Sequence, residues 1–180
     1  MGRGSSVSSR GMGHPDTGEY GDPLSRRIAK FLGEIGIVVR WERIVEPTVL
    51  TGLTIDRGQI VVDETELQHP GDLLHEAGHL AILPATERTS ISGTAGSDPG
   101  HEMTAIAWSY AALCHLNLEP EVVFHEDGYR GGSANLIDNF SQGRYIGVPV
   151  LQWLGMTADD NQAARLGVDP FPKMLQWVLD

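Results

Sequence analysis

The order of hydrophobic patterns predicts an α+β fold, a small antiparallel or mixed sheet packed against helices. Helical periodicity comes first, with Leu24, Ile28, Phe31 and Leu32 on one face. Period-two alternation follows, in Ile35, Ile37 and Val39 and then on both sides of Asp56-Arg57-Gly58. Two more helical stretches come after the alternating ones. A strand, a hairpin, a helix, a loop and a helix, in that order, suit a sheet with helices laid against it.

Each element has its own local signals. Asp22-Pro23 supplies an N-cap and a proline at the first helical position, and Gly33 or Gly36 closes that helix. Leu53 and Ile55 before the Asp-Arg-Gly turn, with Ile60 and Val62 after it, predict a β-hairpin. Pro70-Gly71-Asp72 opens a helix limited by Pro84, and Leu73, Leu74, Ala77, Leu80 and Ala81 form its apolar set. From Ala85 to Asp98 the composition turns to Thr, Ser and Gly, which reads as a loop able to serve as a lid. Ser97-Asp98-Pro99 starts the next helix, carrying Met103, Ile106, Ala107, Tyr110, Ala111 and Leu113. The stretch from Gly128 to Gly143 reads as a long loop or broken element. Thr157-Ala158-Asp159-Asp160 starts a helix that Gly167 stops, and Pro172 to Leu179 is expected to form a last one.

Residues 1–22 are rich in Gly and Ser and lack an apolar run, so they read as a flexible tail without a secretory signal, ahead of a single domain over 23–180. No stretch reaches the length of a membrane-spanning helix, and a cytoplasmic protein is expected. The chain carries 24 acidic and 13 basic side chains, a formal charge of -11, without a basic cluster. Such a surface repels a phosphate backbone, which argues against nucleic acid as a partner. Cys114 is the only cysteine, so neither an internal disulfide nor a cysteine-based zinc knuckle can form. It reads as a small buried hydrophobe.

Chemistry concentrates in His75-Glu76-Ala77-Gly78-His79. Residues four apart on a helix share a face, so His75 and His79 can turn their imidazoles toward one metal ion. Glu76 sits about 100° round the helix from His75, beside the position a reacting water would take. Zinc accepts imidazole nitrogen readily, and a catalytic site keeps three protein ligands with the fourth place open. Without a metal, two histidines and a glutamate would be half-buried on this helix with no evident partner.

These residues resemble the zincin metallopeptidases, whose signature is HExxH on a helix. The longer metzincin pattern is absent, because Ile82 and Ala85 stand where its glycine and third histidine belong. Gluzincins take their third ligand from a glutamate on a later helix, and Glu102 is the best match, with His101 as its rival. Glu102 is in line with the apolar stripe of Ile106, Tyr110 and Leu113, where a carboxylate calls for a cation. Compact size and the run AIAWSYAALCHL are similar to the small ImmA/IrrE-type bacterial metallopeptidases. The resemblance covers about thirty residues around two helices.

It implies one zinc ion (Zn2+) per chain held by His75, His79 and Glu102, with Glu76 as the general base of peptide-bond hydrolysis. A peptide or protein substrate would add as a strand to a sheet edge, for which Gln59 to Asp63 is the expected strand. An oxyanion donor is expected among His125, Tyr129, Arg130, Arg144 and Tyr145, with Tyr129 and His125 leading. Larger gluzincins place an acid four residues after the ligand glutamate to orient the first histidine; Ile106 stands there, leaving Asp98 or Asp63 for that role. The alternative is a non-catalytic module that holds zinc structurally or binds peptide without cutting it. The four tryptophans are expected in the core.

Overall fold

Residues 22–93 and 98–180 are described by the computed structural model. The tail expected over 1–22 lies outside them except for Asp22, as does part of the 85–98 segment. Helix α1 (Pro23–Glu34) begins as its cap signals direct, the Asp22 carboxylate accepting from the Ser25 backbone N–H at 2.8 Å and from its hydroxyl at 2.9 Å. It buries Ile28, Phe31 and Leu32. The expected strand starts late. Ile35 caps α1 and Ile37 enters the core, so β1 is only Val39–Trp41.

Strands β2 (Leu53–Asp56) and β3 (Gln59–Val62) form the hairpin across Arg57 and Gly58, whose φ of 48° and 72° give the left-handed turn a tight hairpin needs. The sheet is mixed and ordered β1-β3-β2, with β1 parallel and β2 antiparallel to β3. This corrects the expectation that 59–63 offers an open edge. The central place of β3 engages both of its hydrogen-bonding rows. The edge strands are β1 and β2, and the outer row of β2 is closed at one end where Ile55 pairs with Gly93. The connection from β1 to β2 crosses the end of β3. Asp63 anchors it by accepting from the Ile44 N–H at 2.9 Å, while also accepting from the Thr65 N–H and hydroxyl.

Helix α2 (Asp72–Ala81) is buried nearly all round and packs against α1, the sheet and α4 (Pro99–His115). Its start needs Gly71, since a Cβ there would stand 1.8 Å from the Val122 carbonyl oxygen. Asp98 caps α4, accepting from the Gly100 and His101 N–H groups. The 85–98 segment is not all loop: α3 (Ala85–Arg88) follows directly on Pro84. The glycine-rich stretch also contains a helix, α5 (Ser133–Ser141), with Gly132 at its start and Gly143, at φ 72°, beyond its end. There the glycines punctuate a helix rather than dissolve it. Then come α6 (Val148–Trp153) and α7 (Asp160–Leu166), the latter opened by an Asp159 capping box and closed by Gly167 as expected.

No helix forms over 172–179; this segment is held by backbone bonds to Met156 and Ala81 and by side chains. Trp108, fully buried, donates from Nε1 to the Trp177 carbonyl at 2.8 Å, and Arg88 donates to the carbonyls of Leu80, Leu83 and Leu179. Not every tryptophan is interior, because Trp41 is 40% exposed and Trp153 83%. Among the described residues no helix is long and apolar enough to cross a membrane.

Candidate metal centre

The site lies where α2 meets α4. Gly78 makes the meeting close: a Cβ there would be 2.7 Å from the Ala105 carbonyl oxygen. At that separation the first turn of α4 delivers Glu102 to the histidine face of α2. His75 Nε2 lies 3.2 Å from His79 Nε2. Glu102 closes the triangle, Oε1 at 3.4 Å from His75 Nε2 and Oε2 at 3.1 Å from His79 Nε2.

These separations test the fit of a metal. Donors about 2.0–2.1 Å from a tetrahedral zinc stand about 3.3 Å apart. The three edges of the triangle, 3.1 to 3.4 Å, have that size. Two bare imidazole nitrogens and a carboxylate brought this close repel one another unless protons or a cation sit between them. Burial, with His79 adding, lowers the His75 pKa to about 4, so its imidazole is neutral near pH 7. A hydrogen bond from His79 holds Glu102 below the usual carboxylate range. A neutral imidazole and an ionised carboxylate are the forms that bind zinc.

Glu76 is 7% exposed, and its Oε2 is buried without a hydrogen-bond partner. Burial, reinforced by Asp72 and Glu102 and opposed by His79, raises its pKa to about 7. A carboxyl balanced near neutrality can both take and return a proton. Beside it opens a groove of about 320 Å³, walled by the 44–50 connection and by Leu53 and Thr54 of β2. Val45 and Val49 there are 87% and 81% exposed, so the wall is unusually apolar for a surface loop.

The Nδ1 atoms of both histidines are occupied. Tyr129 Oη is 3.2 Å from His75 Nδ1, and His101 Nδ1 is 3.1 Å from His79 Nδ1. His101 thus stands behind His79 and outside the donor triangle. Asp98 and Asp63, expected to orient His75, are engaged elsewhere, Asp98 as the cap of α4 and Asp63 by Ile44 and Thr65. Tyr129 lies in a left-handed turn with Arg130 and Gly131, at φ of 53°, 52° and 80°. That conformation costs a non-glycine residue about 1–2 kcal/mol.

Of the other expected donors, His125 bonds through Nε2 to Asp72 Oδ1 at 3.0 Å. Arg144 is engaged on the surface by Asp138 and Asn139, and Tyr145 packs among Tyr110, Phe140 and Phe171, so neither reaches the site. Arg130 is exposed. A second group, His69, His125 and Asp127, also gathers possible ligand atoms. Its two imidazoles are stacked at 3.6 Å and 6°, so lone pairs in nearly parallel planes do not converge on one ion. Sequence reasoning did not anticipate Asp72, which is buried beside His125 with a pKa raised by that burial. Its place in the first turn of the motif helix was the available signal.

No known protein family, curated protein or solved structure matches this chain.

Proposed function

We propose that the chain is a zinc-dependent peptidase of gluzincin-like design, working in the cytoplasm on peptide or protein substrates. The observation that supports this most is the triangle of His75, His79 and Glu102 with the unpartnered Glu76 carboxyl next to it. The two histidines and Glu102 would hold the ion. Bound zinc would supply Lewis acidity and a nucleophile available at neutral pH. Glu76 Oε2 accepts the proton of the attacking water as its oxygen adds to the scissile carbonyl. The same carboxyl returns that proton to the amine when the C–N bond breaks. Of the expected oxyanion donors, Tyr129 is engaged behind His75 at Nδ1, which leaves His125, paired with Asp72 at 3.0 Å, as the candidate. The groove beside Glu76 favours an extended peptide with an apolar side chain against Val45 and Val49.

Metal content per chain, measured by mass spectrometry on protein purified without a metal column, tests the reading. Wild type is expected to hold near one zinc, Glu102→Ala much less, and Glu76→Gln as much as wild type but without hydrolysis of peptide libraries. Negligible metal in wild type, or full peptidase activity in Glu76→Gln, would remove the proposal. A hydroxamate that binds the loaded wild type separates an open catalytic site from a closed structural one.

A further inference from the structure

A histidine that offers Nε2 to a cation must carry its hydrogen on Nδ1, and that hydrogen needs an acceptor. Both histidines here turn Nε2 into the donor triangle. The acceptors behind them are a phenol and an imidazole. Tyr129 presents Oη to His75 Nδ1 at 3.2 Å, its ring edge-to-face with the imidazole at 5.5 Å and 89°. His101 presents Nδ1 to His79 Nδ1 at 3.1 Å, the two rings nearly parallel at 12°. Neither partner is a carboxylate.

The backbone behind Tyr129 is built for this contact. Tyr129 and Arg130 take left-handed φ values that favour glycine, and Ser133 ties the turn down by donating from Oγ to the His125 carbonyl at 2.6 Å. Strain that the surrounding structure maintains at a candidate site marks a side chain whose direction matters. On the other side, His101 Nε2 is buried without a partner, so the ring is committed to His79 at the expense of its other nitrogen.

We infer that Tyr129 and His101 are the positioning residues of the centre, each fixing one ligand imidazole at Nδ1, the one through a phenol and the other through an imidazole. This rests on the zinc reading above. A carboxylate in either place would pass negative charge toward the ion; a phenol and an imidazole do not. The centre therefore keeps the whole positive charge left after Glu102 is counted, and holds its metal less tightly than a carboxylate-backed site would.

The test is the zinc dissociation constant by competition with a chromophoric chelator, together with the visible spectrum of the cobalt(II) form. Tyr129→Phe and His101→Ala are each expected to weaken zinc about 10–100-fold and to shift the cobalt bands. His101→Asn returns an acceptor to the Nδ1 position and is expected to restore most of the affinity, which a merely space-filling role would not require. His101→Asp is expected to bind zinc more tightly than wild type. Melting of the metal-free proteins identifies any variant that fails to fold, in which case the other position decides. Wild-type affinity and unshifted bands in both Tyr129→Phe and His101→Ala would overturn the inference while leaving the zinc reading in place. A wild type that binds no zinc would end both.

Discussion

Glu76 ties the stability of the metal-free protein to pH. In the metal-free protein its pKa is raised to about 7 by burial, against about 4.5 for an exposed glutamate. The folded state therefore holds a proton that the unfolded state releases. Its contribution to stability is complete below about pH 4.5 and is lost as pH rises through about 7. Glu76→Gln removes that loss. Chelator-treated Glu76→Gln is expected to exceed wild type in stability by about 1–3 kcal/mol at pH 8 and to match it near pH 4.5. Urea unfolding at the two pH values measures the difference; an equal gap at both would show that Glu76 does not titrate between them. His75, lowered to about 4, acts in the other direction over pH 4 to 6.5, and the variant-minus-wild-type difference removes its effect. At this scale the sequence was most legible where chemistry is local. His75, Glu76 and His79 are placed by helical spacing alone. Tyr129 and His125 come to α2 from more than forty residues away, and nothing nearby in the chain announces which atom they meet.

Among the elements, the contact of α2 with α4 decides whether a site exists. Gly78 allows it, because any Cβ there runs into the Ala105 backbone. Gly78→Ala gains helix propensity in α2 yet must separate the two helices. It is expected to cost about 1–3 kcal/mol of stability and to weaken zinc binding, because Glu102 moves away from His75 and His79. Calorimetry and chelator competition report the two effects; unchanged zinc affinity would show that the triangle does not depend on this approach. Elements with a side-chain cap were readable: Asp22-Pro23, Asp98-Pro99 and Asp159 each begin the helix they predict. Helices α5 and α6 were not, since both begin behind glycine without a capping side chain and lack the long apolar set that announced α2. The order of the sheet was hidden for a different reason. Alternation shows that β3 is a strand, but its central place depends on β1 pairing with it from some twenty residues upstream.

Across the whole molecule, the last residues reach back to the motif helix. Trp177 sets its ring against Phe31, Trp108 and His115, while the Leu179 N–H donates to the Ala81 carbonyl at 2.9 Å. From sequence a helix is expected there. The segment is instead pinned by tertiary partners, the Trp108 indole and the Arg88 guanidinium, which no local pattern encodes. Trp177→Ala is expected to cost about 3–5 kcal/mol, lowering the melting temperature by about 10 °C. Differential scanning calorimetry on chelator-treated protein checks this, and a shift below a few degrees would mean the segment docks without supporting α2. The same scale gives meaning to the 44–50 connection. It leaves the sheet at one edge, passes the end of β3 and rejoins at the other edge, with Asp63 holding it near its start. Between those ends Val45 and Val49 face solvent, and the tie that the Thr48 hydroxyl makes, to the Leu50 carbonyl, lies within the wall itself. An occupant of that groove orders the wall as well as itself, so a substitution that holds the loop in its bound shape strengthens binding without adding a contact.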